Sequence, residues 1–242
     1  MQDTTIHTQG ETPSSSALLT GAALLGGAAL LFATPKTAHA VSPALQFSSI
    51  PGTGDIKALN YALALEALEA DLYVQAIAKL NTLGVASTDP LAVYLNRFGT
   101  VEAQHRDFLI GAIKAANNGT TILDGPLKGA TFNFGSNLDS YASILDFLIT
   151  VEATGVQAYI GAIPSFTPGS KYLPTAAAIQ GTEARHTAAL IVVRNRRGGA
   201  ITSPAPLYTE VGANGSLGTD AALEPQSVLN AVSQYIVLPS GG

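Results

Sequence analysis

Residues 101–109 read VEAQHRDFL and residues 182–190 read TEARHTAAL. Each holds a Glu-x-x-His element, Glu102 to His105 and Glu183 to His186. Residues three apart lie on one face of a helix, so each stretch presents a carboxylate and an imidazole to the same point. The chain has four histidines, and the other two, His7 and His39, fall within the first forty residues. Every histidine beyond residue 40 therefore follows a glutamate by three positions, although only seven glutamates occur there. Oxygen and nitrogen donors combined in this way suit iron, manganese or zinc.

The neighbouring segments supply matching halves. LNYALALEALEADLY at 59–73 carries Glu66 with Tyr73 seven residues on, and LITVEATGVQAYIGA at 148–162 carries Glu152 with Tyr159 seven on. Both stretches are apolar, and a lone ionised Glu in such surroundings is expensive without a partner. Four carboxylates converging in a core repel one another, and a pair of divalent cations neutralises them. The chain thus repeats one unit twice: Glu, then Tyr at +7, then Glu-x-x-His in the next helix.

Helical periodicity without Gly or Pro runs for about 25 residues from Asp55, which is the expected N-cap. A second helix starts at Ser87-Thr88-Asp89-Pro90, with a capping residue before Pro at the first helical position, and runs to about Ala116. The third covers roughly Asp139 to Ile163, and the fourth runs from about Thr175 to Arg197, closed by Gly198-Gly199. Helices of about 22–28 residues measure about 33–42 Å and can pack side by side along their lengths. Short turns join helices one and two, and three and four, whereas residues 117–137 form a long Gly-rich connection. The expected fold is all-α: a four-helix bundle of two antiparallel hairpins over 55–197, with a long crossover between them. Residues 41–54 read as a linker and 198–242 as an irregular tail, in which SVLNAVSQYIVL forms a short amphipathic helix or a strand-like end.

Composition narrows the function classes. Charged residues are 12% and the net charge is -5, which excludes a basic nucleic-acid binder, and 47% hydrophobic residues exclude a disordered chain. Without cysteine there is no disulfide, thiolate metal site or cysteine nucleophile. Residues 17–33, ALLTGAALLGGAALLFA, precede Ala38-His39-Ala40, which fits signal-peptidase cleavage. Residues 1–40 are read as an export signal or as a retained N-terminal membrane anchor, and membrane association would run through 17–33. The chain is accordingly expected in the periplasm or outside the cell, free or anchored facing that side. Asn118-Gly-Thr and Asn214-Gly-Ser match the short glycosylation pattern.

The four helix motifs together resemble the ferritin-like superfamily, and within it the exported, desiccation-related branch of ferritin-like domain proteins. EPQSVLNAVSQYI at 224–236 is similar to that branch's C-terminal signature. The resemblance implies two iron or two manganese ions per chain. Glu66 and Glu152 would be terminal ligands, one per ion. Glu102 and Glu183 would bridge, and His105 and His186 would each cap one ion. Glu69, three residues beyond Glu66, competes with it for the ligand role, and the matched +7 tyrosines favour Glu66. Tyr73 and Tyr159 either hydrogen-bond the ligand carboxylates, carry a radical, or simply pack the core.

The implied activity is Fe(II) oxidation or peroxide consumption in stress protection, as a ferroxidase, a peroxidase or a manganese-catalase-like oxidoreductase. Dioxygen or peroxide is then the small-molecule partner. The alternative is a non-catalytic structural or accessory subunit of a membrane or cell-envelope assembly, built on the same bundle. The chain would associate with copies of itself or with such a complex.

Overall fold

A computed structural model of the chain describes residues 44–116, 119–197 and 220–239. The expected leader at 1–40, Asn118, Asn214 and the first part of the tail lie outside the described residues. Four long helices carry the architecture: α1 (Gly54–Thr82), α2 (Pro90–Ala115), α3 (Tyr141–Ala162) and α4 (Leu173–Arg196). α1 packs along α2 and α3 along α4 as two hairpins, with α1 facing α3 and α2 facing α4. This is the expected bundle of two hairpins joined by a long crossover.

Local chemistry sets most helix ends. Asp89 caps α2, accepting from the Leu91 N–H at 2.9 Å, with Pro90 at the first position. α3 begins at a reciprocal box between Ser140 and Ser143, two residues later than the sequence suggests. α1 starts at Gly54 after Thr53, so Asp55 is not its N-cap. The Asp55 carboxylate instead accepts from the Thr167 N–H at 2.8 Å and ties the α3–α4 turn to the start of α1. α3 and the turn after it are long and apolar enough to cross a membrane, but 78% of the most apolar 18-residue window is buried in the bundle.

The crossover is built into the core. Ile122, Leu127, Phe134 and Leu138 are buried. Asn60, fully buried on α1, clamps the crossover with two hydrogen bonds and the segment before α1 with a third. Its Nδ2 donates to Pro51 O at 3.2 Å and to Thr120 O at 3.1 Å, and its Oδ1 accepts from the Ile122 N–H at 2.7 Å.

The tail end returns to the bundle as helix and strand together. α5 (Pro225–Val232) buries Val228, Leu229 and Val232 against α3. The two-residue strand β2 (Ile236–Val237) then pairs antiparallel with β1 (Thr131–Phe132) of the crossover. Residues 44–53, part of the stretch read as a linker, pack on this tail. The Leu45 N–H donates to Ser233 Oγ at 2.9 Å, the Phe47 N–H donates to Gln226 Oε1 at 2.8 Å, and Ile50 is buried. The basic end of α4 does more than complement its helix dipole. Arg197 sits over the Tyr141 ring and reaches Asp89 at 2.9 Å, while Arg194 pairs with Asp146 at 2.9 Å.

The tail approaches α3 at a glycine. The Leu223 N–H donates to Gln157 O, and a Cβ on Gly161 would run into the Leu223 carbonyl. Gly161→Val is expected to cost about 1–3 kcal/mol through this clash and to free 220–239 for proteolysis. A wild-type digestion pattern and melting temperature would contradict the close approach.

Candidate metal centre

Six side chains from four helices converge between the hairpins. Glu66 comes from α1, Glu102 and His105 from α2, Glu152 from α3, and Glu183 and His186 from α4. Glu66, Glu102, Glu152 and Glu183 are each at most 1% exposed. The structure brings together all six residues singled out from the sequence.

Their donor atoms form two groups, in each of which the atoms lie within 4.8 Å of one another. One group is Glu66, Glu102, His105 and Glu183, and the other is Glu102, Glu152, Glu183 and His186. Glu102 and Glu183 belong to both. In the first, His105 Nδ1 is 3.4 Å from Glu66, 2.9 Å from Glu102 and 3.5 Å from Glu183. In the second, His186 Nδ1 is 2.8 Å from Glu102 and 3.3 Å from Glu152. Glu69 enters neither group. Its carboxylate lies by Gly155, where a Cβ would stand 3.3 Å from Glu69 Oε1 and 3.0 Å from Glu183 Oε2.

The tyrosines serve the carboxylates crosswise. Tyr73 of α1 donates to Glu152 Oε1 of α3, and Tyr159 of α3 donates to Glu66 Oε1 of α1 at 2.6 Å. Each +7 tyrosine thus holds the glutamate of the other hairpin, a pairing across the pseudo-repeat that spacing along one helix cannot reveal. Phe98 was not singled out from the sequence; its ring stacks on His186 at 3.8 Å between centroids and meets Tyr73 edge-on. An aromatic one turn before a ligand glutamate is the signal that would have found it.

Within this cluster, Glu66 Oε2, Glu102 Oε1, Glu152 Oε2, both Glu183 oxygens and His186 Nδ1 are buried with no hydrogen-bond partner among the described residues. His186 Nδ1 and Glu102 Oε1 approach to 2.8 Å without the alignment of a hydrogen bond. Buried polar atoms left unpaired in a native protein call for an explanation, and a metal ion is one of few available. Hard oxygen donors with one imidazole per group fit iron or manganese, and the residues present fit a pair of such ions.

The electrostatics of the metal-free cluster follow from burial and crowding. Burial raises Glu66 to about 7, with His105 opposing it. Burial, reinforced by Glu152 and Glu69, pushes Glu183 well above the usual carboxylate range. Burial disfavours charge on both imidazoles, but the facing carboxylates outweigh it and hold His105 at about 10 and His186 at about 9. The cluster therefore stores protons where cations would sit.

A four-helix bundle with a buried, carboxylate-rich Glu/His cluster between its hairpins defines the class of carboxylate-histidine bundles able to bind metal. Residues 54–196 match the ferritin-like domain family, and the chain belongs to that family. No curated protein and no solved structure matches it.

Metal binding requires deprotonated ligands, so it releases protons and strengthens as pH rises. The metal-free protein behaves oppositely. Each histidine's folded pKa exceeds its unfolded value, so its stabilisation is complete below about 6.5 and is lost as pH rises through 9–10. Raised Glu66 acts in the same direction between about 4.5 and 7. Melting temperatures with and without Mn(II) are therefore expected to diverge steadily from pH 6.5 to 9. A gap that narrows with pH would contradict this ligand set.

Proposed function

We propose that the chain is a dimetal carboxylate protein that oxidises Fe(II) or consumes peroxide, protecting an exported compartment against oxidative or drying stress. The observation that carries this reading is the pair of four-residue donor groups sharing Glu102 and Glu183. Glu102 and Glu183 would be shared between two ions, with Glu66 and His105 holding one and Glu152 and His186 the other. Two such ions, when bound, supply one-electron steps toward dioxygen or peroxide.

The residues around the ligands support redox chemistry in a protected site. Tyr73 and Tyr159 fix the outer oxygens of the terminal glutamates, so the inner oxygens stay directed at the centre. Phe98 covers His186 and excludes water from that side. Burial on all four helices keeps bulk solvent from competing for the ligands. The similarity of 224–236 to the C-terminal signature of the desiccation-related branch supports the stress assignment, and Ala38-His39-Ala40 supports export. Purified mature protein starting at Val41 is the expected N-terminus.

The test is anaerobic loading with Fe(II) or Mn(II), followed by dioxygen or hydrogen peroxide in separate stopped-flow experiments. Fe(II) oxidation faster than in free solution supports the ferroxidase or peroxidase form, and sustained peroxide disproportionation by the Mn(II) protein supports the catalase-like form. Neither activity, with both metals bound, would overturn the catalytic reading and leave an accessory role.

A further inference from the structure

The two hairpins repeat one another at the centre but differ beside their tyrosines. On the first hairpin, Gly99 of α2 lies three residues before Glu102, and a Cβ there would stand 2.8 Å from Tyr73 Cβ. α2 thus closes directly on Tyr73, Phe98 caps the ring, and Tyr73 is 1% exposed. On the second hairpin, the position three before Glu183 is Gln180. Among the described residues, a cavity of about 490 Å³ lies beside Tyr159, lined among others by Tyr159, Ile163, Leu173, Ala177, Gln180 and Asp220. That volume lies within the range of small-molecule sites, which are mainly apolar with a few placed polar groups. Ile163 at its edge is 49% exposed and so is reachable from solvent.

We propose that this cavity binds a largely apolar small molecule carrying a hydroxyl group. Its hydrocarbon part lies against Ile163, Leu173 and the Tyr159 ring, and its hydroxyl faces Gln180 and Asp220. An ionised carboxylate only accepts hydrogen bonds, whereas an amide both donates and accepts, and a hydroxyl can answer both. The Tyr159 ring is the common wall of cavity and centre, since its hydroxyl donates to Glu66. An occupant therefore sits one side chain away from a candidate metal ligand. The pocket is a property of the polypeptide and does not depend on a metal being bound.

The experiment is titration of the metal-free full chain with 2-naphthol, followed by calorimetry. Saturable binding at one site per chain is expected. Ala177→Phe, on the exposed wall of the cavity, is expected to abolish it with the helical circular dichroism unchanged. Asp220→Ala is expected to weaken it about three- to tenfold, the loss of one hydrogen bond. Val74→Phe, exposed on the other hairpin, leaves the affinity unchanged. Absence of saturable binding, or equal affinity in the folded Ala177→Phe protein, would overturn the proposal. Because the probe meets metal-free protein, failure here leaves the metal reading standing, and failure to bind metal leaves this pocket standing.

Discussion

Glu183→Leu is expected to raise the melting temperature of the metal-free protein while abolishing metal uptake. Glu183 is fully buried, neither oxygen has a hydrogen-bond partner, and Glu152, Glu69, Glu102 and Glu66 crowd it. Replacing a buried polar group that has no hydrogen-bond partner by an apolar side chain of similar volume relieves its desolvation cost, about 1–3 kcal/mol. At about 2–4 °C per kcal/mol for a chain of this size, the rise is of the order of 5 °C. Metal uptake moves the other way, because Glu183 belongs to both donor groups. Glu66→Leu is the control, since Glu66 belongs to one group only and one ion per chain remains expected. A Glu183→Leu protein that melts lower without metal, or that still binds two ions, would show that the carboxylate is structural. Opposite signs for stability and function at one residue are the mark of a site kept for chemistry.

Asn60→Leu is expected to be the most damaging single change outside the centre. Asn60, itself fully buried, satisfies the carbonyls of Pro51 and Thr120 and the N–H of buried Ile122. Each buried backbone group left without a partner costs about 1–3 kcal/mol. With the Ile122 N–H the one fully buried group of the three, the variant should lose about 2–3 kcal/mol, or about 7 °C in melting temperature. Amide exchange should accelerate at Ile122 while amides in the middle of α3 and α4 stay protected. Uniform acceleration throughout the chain would mean that the crossover is not a separately held unit.

Much of the fold was legible because helix signals here are local. The Gly/Pro-free run from Asp55 places α1, Asp89-Pro90 places the start of α2, Pro164 and Gly198-Gly199 place the ends of α3 and α4 within a few residues, and loop lengths pair the four into hairpins. The six ligand candidates were legible because Glu and His are scarce and their spacing repeats. What stayed hidden depends on contacts between segments distant in sequence. Asp55 looks like a cap until the α3–α4 turn is seen to need its carboxylate. The stretch 41–54 looks like a linker because its Pro and Gly content conceals Ile50, which packs only once the tail has returned. The crossed tyrosine pairing arises from the facing of two hairpins, so a periodicity within one chain segment cannot show it. The cavity beside Tyr159 was likewise invisible, since it arises from a difference between two hairpins that the motif presents as equal.

The most direct measurement is elemental mass spectrometry on protein purified without added metal, beside a Glu102→Ala, His105→Ala variant. The account predicts about two iron or manganese ions per chain in the parent and none in the variant, because Glu102 belongs to both donor groups. Parent protein that holds no metal, and takes up none after anaerobic addition of Fe(II) or Mn(II), would contradict it. The buried glutamates and histidines would then be a proton-sharing polar network inside a ferritin-like bundle.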